Sequence, residues 1–461
     1  MSTLTIAIIV VFVLGYALIA MESLTKVNKA AVALLMFVFC WTLYMFDPAP
    51  FVQLMHPDFT GTGDKVVSFV NTLITEHLGD TSTTLFFLMG AMTIVEIVDQ
   101  NGGFNWVKNV MQSKTKRSLL WKIAFMTFFL SAILDNLTTS IVMVMILRKL
   151  VQDKHDRMIY ASLVIIAANS GGAFSPIGDV TTIMLWNAGM ITAGGVLSEI
   201  FIPSLVSMLI PAFLLQMLLK GNIQYDDMSS DMSGDHEVLE FNGFQRKIVF
   251  AIGVGGLCSV PLFHFFTDLP PFVGILLVLG ILWTVTEVFY RNLHKERGEE
   301  IQFSKRVSSL LSRIDMSTIL FFLGILMAVA CLEEVGVLKE LGRGLNTTFN
   351  GNHYAVTGII GVLSAIVDNV PLVAGSMGMY PIGIEPDMAV DGIFWQLLAY
   401  CAGVGGSMLI VGSAAGVVVM GLEKITFGWY MKRITWIAFL GYIAGILSYW
   451  IIRTCIFTTP L

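Results

Sequence analysis

Apolar runs with few charges recur along almost the whole chain, near residues 4–21, 29–46, 81–98, 158–190, 196–219, 247–266, 271–290, 317–336, 394–422 and 434–452, and most match the thickness of a bilayer core. A soluble fold has too little interior to hide them. With 56% hydrophobic and 13% charged residues and a mean hydropathy of +0.78, the 461 residues read as an all-α polytopic membrane protein. Two further apolar stretches, 118–147 and 354–382, are each interrupted near the middle by an Asp-Asn pair. Their halves are short for full spans, so each is expected to form a re-entrant hairpin. The first run has no basic region before it and no clear small-residue cleavage site after it, and is expected to be retained as a helix.

Charge narrows the function classes. The net charge is -6 and the pI near 5.7, without the basic excess that nucleic-acid binding requires. The five cysteines stand singly in or beside apolar runs, with no metal-ligand spacing, and read as fillers. No cofactor is expected. If both broken stretches return to the side they enter, 23 of the 27 Lys and Arg residues fall on one face, with Lys65, Lys339, Arg343 and Arg453 opposite. The positive-inside rule makes the crowded face cytoplasmic, which gives ten spans, two hairpins and both termini outside.

The same order of features occurs twice. "FFLMGAMTIVEIV", "SAILDNLTTS" and "NSGGAFSPIGDVTTI" are followed about 235 residues later by "FFLGILMAVACLEEV", "SAIVDNVPLV" and "VGGSMLIVGSAAGVV". With the loop assignment above, the first copy begins outside and the second inside, so the halves are inverted repeats, an arrangement that puts a substrate site at the repeat interface near mid-membrane. Glycines and polar side chains break both third elements, with a Ser-Pro pair in the first, and both are expected as discontinuous helices lining a polar cavity.

A carboxylate at a hairpin tip is costly in a bilayer and needs a partner. Between Lys122 and Arg148, both at the cytoplasmic edge, the first hairpin holds no basic residue, and the second stretch holds none. A bound Na⁺ fits an oxygen set of Asp, Asn, Thr and main-chain carbonyls, and a proton fits a desolvated carboxyl. A group that takes either, and not both, supports exchange. The candidate cation and proton ligands are Asp135, Asn136, Thr138, Thr139, Asp179, Thr181, Asp368 and Asn369, with Na⁺ expected around Asp135, Asp179 and Asp368. Further candidates are Ser131, Asn169, Ser170, Ser175, Thr182, Ser364 and Ser413, and the late-helix acids Glu96 and Glu333, with Glu334 beside it.

On these four motifs, "SAILDNLTT", "NSGGAFSPIGDVTT", "SAIVDNVPLV" and "GGSMLIVGSAAG", the chain resembles NhaD-type sodium/proton antiporters of the ion transporter superfamily over nearly its whole length. The resemblance implies a non-enzymatic homodimer in a bacterial inner membrane, a fixed scaffold and a moving part that carries the hairpins. It also implies Na⁺ or Li⁺ export driven by proton uptake at alkaline pH. Pro371 stands where the first hairpin has Thr138, and Ser413 where the first half has Asp179, so the first half is the richer in oxygen ligands.

Two alternatives stay open at this point. A dicarboxylate or oxyanion carrier fits the superfamily but is opposed by the midplane acids and by the lack of an arginine near either tip. An intramembrane aspartyl protease using Asp135 and Asp179 lacks the first glycine of the Gly-x-Gly-Asp pattern, since the sequence reads "PIGD". His56, His77, His155, His236, His294 and His353 are expected in or beside loops, where any could sense pH. The expected organisation is scaffold helices at 1–80, the first repeat at 81–220, a solvated cytoplasmic linker at 221–245, scaffold helices with a basic loop at 246–316, and the second repeat with a C-terminal helix at 317–461. Cysteines introduced at positions 298 and 387 of a Cys-free variant should react with an impermeant reagent from opposite sides. Reaction from one side would rule out the second hairpin.

Overall fold

The structure, a computed structural model, describes residues 2–20, 25–104, 110–111, 113–223, 241–297, 310–366, 368–383 and 385–455. Among these the only extended pairing is a bridge between Thr115 and Asn222, and the rest is helix and connection. The N-terminal part holds α1 (Thr3–Ala20), α2 (Lys29–Phe46), the short α3 (Ala49–Met55) and α4 (Asp64–Gln100). A hairpin follows, α5 (Lys116–Leu134) turning at Asp135 into α6 (Asn136–Leu150), then α7 (Lys154–Ala173), a break, and α8 (Val180–Asn187). Helices α9 (Ala193–Glu199) and α10 (Phe201–Leu215) meet at a 42° bend. Next come α11 (Gly243–Thr267), α12 (Pro271–Arg297), α13 (Met316–Glu334) and α14 (Val337–Thr348). The second hairpin is α15 (His353–Ser364) and α16 (Asn369–Met379). It leads to α17 (Ile393–Gly405), a second break, α18 (Ala414–Glu423), α19 (Phe427–Arg433) and α20 (Thr435–Cys455).

Seven of the described helices are long and apolar enough to cross a membrane, eight if α9 and α10 are one bent span. Helix α5, the first arm of the first hairpin, is among them at 19 residues, whereas α6, α15 and α16 are too short. Helix α4 runs 37 residues through Thr81, with no proline to interrupt it. The expected boundary at 80/81 therefore falls inside a helix, and His77, expected at a loop, lies within it. Helix α7 also takes in His155. Residues 224–240, with His236, and 298–309 lie outside the described residues, so most of the expected linker and basic loop do too.

Burial puts the broken helices at the centre. From Ile159 to Ala173 every residue of α7 is buried, as is every residue of α17 from Phe394 to Gly405. Helices α11, α12 and α20 leave most of their apolar surface outward, which suits lipid rather than water.

The two hairpin-plus-break units close on matching contacts. Ser131 Oγ donates to the Ala168 carbonyl at 2.6 Å, and Ser364 Oγ to the Ala402 carbonyl at 2.8 Å. A Cβ on Gly171 would collide with the carbonyl of Phe128, and one on Gly405 with the carbonyl of Gly361. A Cβ on Gly178 would stand 2.9 Å from the Ser131 carbonyl, and one on Gly412 2.8 Å from that of Ser364. Polar contacts also sort to two ends. At one, Lys116 pairs with Asp156 at 2.5 Å, and Arg148 and Arg157 hold Glu423 at 2.7 and 2.6 Å. At the other, Arg453 reaches Glu199 at 3.1 Å, Thr192 reaches Asp391, and Glu334 meets His56 and His77. The first hairpin opens toward the Lys116 and Arg148 end. The second has its tip at Lys29, whose neighbour Asn28 bonds Ser317, and opens the opposite way.

Gly171→Ala and Gly405→Ala should each lower the melting temperature of the solubilised protein by a similar amount, about 1–3 kcal/mol of overpacking. Gly79→Ala, with open space around it, should not lower it. Equal melting of all three would contradict the close approach of the paired helices.

Candidate functional site

Asp179 lies in the break after α7 and is 1% exposed. Its Oδ1 caps α8 by accepting from Thr181 N and Thr181 Oγ1, both at 3.0 Å, and Thr182 Oγ1 donates to its main-chain carbonyl at 2.9 Å. Both hairpins reach this carboxylate. Asn136 Nδ2 donates to Oδ2 at 2.7 Å, and Asn369 Nδ2 lies 3.2 Å from each oxygen. The asparagines that follow the two tip acids, 233 positions apart in sequence, thus meet on one side chain.

Asp135 has φ +79°, a left-handed backbone that only the abrupt turn between α5 and α6 requires. Its carboxylate caps α6, with Thr138 N and Thr138 Oγ1 each at 2.8 Å. Asn136 also bonds Asn169 Oδ1 at 3.0 Å, and Asn169 Nδ2 continues to Ser407 Oγ and Ser413 Oγ, each at 3.0 Å. Ser413 in turn caps α18 through Gly416 N at 3.2 Å. Thr139 Oγ1 is buried without a hydrogen-bond partner among the described residues.

Asp368 caps α16 through Val370 N at 3.4 Å, and its Oδ2 lies 3.4 Å from Lys29 Nζ, which also stands 4.3 Å above the Phe321 ring. This corrects the expectation that no basic side chain serves the hairpin acids. Lys29 begins α2, far away in sequence, and only the parallel packing of α2 on α13 carries it there, with Trp41 Nε1 donating to the Met327 carbonyl at 2.8 Å.

The other sequence candidates divide. Ser131 and Ser364 donate to main-chain carbonyls of the neighbouring helices, so they fasten helices together and are not turned to the cluster. Ser170 bonds Ser207 of α10 at 2.9 Å, and Ser175 bonds Ile177 N inside the break. Glu96 lies 16 residues along α4 from Asp80, about 24 Å. Glu333 lines a separate cavity. Ser407, which bonds Asn169, is not among the sequence candidates, because a lone hydroxyl directly after Gly405 and Gly406 carries no signal beyond that of the glycines.

The arrangement offers three carboxylates, three amides and several hydroxyls at the junction of two opposed hairpins. Their mutual hydrogen bonds offset part of the cost of burial, and the remaining lone pairs suit a hard cation or a proton. The citrate-transporter family profile, CitMHS, matches residues 16–397. Sodium/proton antiporter 1 of Arabidopsis thaliana is 42% identical over 99% of this chain and 74% of its own length, and the Na(+)/H(+) antiporter NhaD of Vibrio cholerae 29% over 99% and 94%. The chain belongs to the CitMHS family, on its NhaD-type sodium/proton antiporter branch. Among solved structures, the YdaH transporter of Alcanivorax borkumensis matches 92% of this chain and 98% of its own at TM-score 0.61 and 12% identity, a likeness of fold alone. The family profile and the sequence relatives place this NhaD-type chain among multi-pass membrane transporters.

Proposed function

We propose that the chain is a secondary antiporter that exchanges Na⁺ or Li⁺ for H⁺. The observation that carries this reading is the Asp179 carboxylate bridged by Asn136 and Asn369, one from each hairpin, with Asp135 and Thr138 alongside. Names of the plant and bacterial relatives support the same cargo. Citrate, in the name of the wider family, fits less well, because three carboxylates against one ammonium repel a polyanion.

In this reading the halves are inverted repeats, supported by the matched serine and glycine contacts and the opposite openings of the hairpins. The end with Lys116, Arg148 and Arg157 is cytoplasmic and both termini lie outside. The setting proposed is a homodimer in a bacterial inner membrane, although the relatives named above come from plants as well as bacteria.

Sharing fixes the pH dependence. A proton on a shared carboxylate removes the charge that compensates the dehydrated cation, so apparent Na⁺ KM must rise as pH falls. With one shared group the limiting slope approaches about tenfold per pH unit, and with two it is steeper. In everted vesicles Asp135→Asn should abolish Na⁺-driven proton release while the protein stays in the membrane. Activity above about half of wild type would count against Asp135 as a shared ligand. Asp179→Asn should flatten the KM slope measured from about pH 7 to 9.5. A pH-independent KM with a pH-dependent maximal rate would instead place pH control on a separate sensor, and no response to any alkali cation would end the antiport reading.

A further inference from the structure

At the end of the molecule away from Arg148 and Arg157 there is a cavity of about 530 Å³, ample against the ~10–15 Å³ that one water needs. Its lining includes His77 and Asp80 of α4, Glu333 of α13, Met184 of α8 and Ala374 of α16. Met184 lies five residues beyond Asp179, and Ala374 five beyond Asn369. Each helix therefore leads from the cluster to the cavity over about 7.5 Å.

Two neighbouring acids have different surroundings here. Glu334 is buried and bonded to His56 Nε2 at 2.8 Å and His77 Nε2 at 3.0 Å, which fixes α13 to the outer part of α4 and the end of α3. Glu333 faces the cavity beside Gly378, where an added Cβ would stand 3.4 Å from its carboxyl carbon. It makes no hydrogen bond or ion pair among the described residues, and the titratable groups around it are His77, Asp80 and Glu334.

We infer that this cavity is the aqueous route between the cluster and the outer face, and that Glu333, with Asp80, draws hydrated Na⁺ and protons along it. The inference rests on the cation reading of the cluster. Carboxylates around water in a low-dielectric recess focus the field and raise local cation concentration, an effect of about 10- to 1000-fold on association that fades with ionic strength. Gly378 leaves room for the Glu333 side chain, and the bonds of Glu334 to both histidines keep the second acid from competing for the same space.

In oriented proteoliposomes at low ionic strength, Glu333→Gln should lower exchange driven by cations presented outside about three- to tenfold. The deficit should shrink as choline chloride is added, and the inner-side Na⁺ KM should not change. Glu333→Asp should recover most of the rate. Equal losses from both sides, or a loss that salt leaves untouched, would make Glu333 a packing residue and overturn the inference. A second measurement needs no transport. Ala374→Cys, in a chain carrying Cys258→Ser and Cys455→Ser to remove the exposed thiols, should react with an impermeant thiol reagent added outside. Reaction only from inside would overturn the route even if exchange persists. Wild-type protein that moves no alkali cation would overturn the cargo, and with it the inference, while leaving the outer labelling intact, so the two failures are told apart.

Discussion

A buried carboxylate held by two amides from opposite hairpins is the constraint that the remaining architecture serves. Asp179 is almost wholly buried, and an uncompensated charge there would cost several kcal/mol even by the mildest scales. Thr181 and the two asparagines supply the compensation, and they arrive from three separate elements, α8, α6 and α16. Any movement of one hairpin relative to the other must therefore pass through this one set of hydrogen bonds.

Precision at that point comes from contacts further out. Gly171 and Gly405 bring each broken helix against a hairpin arm closely enough that no side chain intervenes. Ser131 and Ser364 then lock the register with one hydrogen bond each to the broken helix. Small residues at such crossings let membrane helices approach to backbone contact, and their placement here sets where each Asp-Asn tip ends. Apart from Lys29 and Asp368 at the second hairpin tip, the ion pairs described above lie at the ends of the molecule, so the centre is positioned mainly by packing and neutral donors.

Much of this is legible in the sequence, for identifiable reasons. The Asp-Asn pairs announce both tips because polar groups in apolar runs are expensive, and Asp179 is visible because Gly, Pro and Asp interrupt a segment otherwise fit to span. What a side chain does is less legible than where it lies. Ser131 and Ser364 have the composition of ligands yet bond to carbonyls, a choice that depends on the neighbouring helix. Lys29 is hidden from any local reading, since its partner Asp368 is more than 300 positions away. The boundary drawn at residue 80 fails because hydropathy changes there while the backbone does not: α4 passes from a polar to an apolar stretch without a breaker.

The capping pattern bears on turnover. Asp135, Asp179, Asp368 and Ser413 are each the N-cap of a helix that starts at the centre. Four helix N-termini therefore converge on the cluster, each equivalent to roughly half a positive charge. They stabilise the carboxylates when nothing is bound, and by the same field they repel a cation that arrives. On the antiport reading proposed above, the opposed helix dipoles weaken the grip of the acids on a cation and shorten its stay.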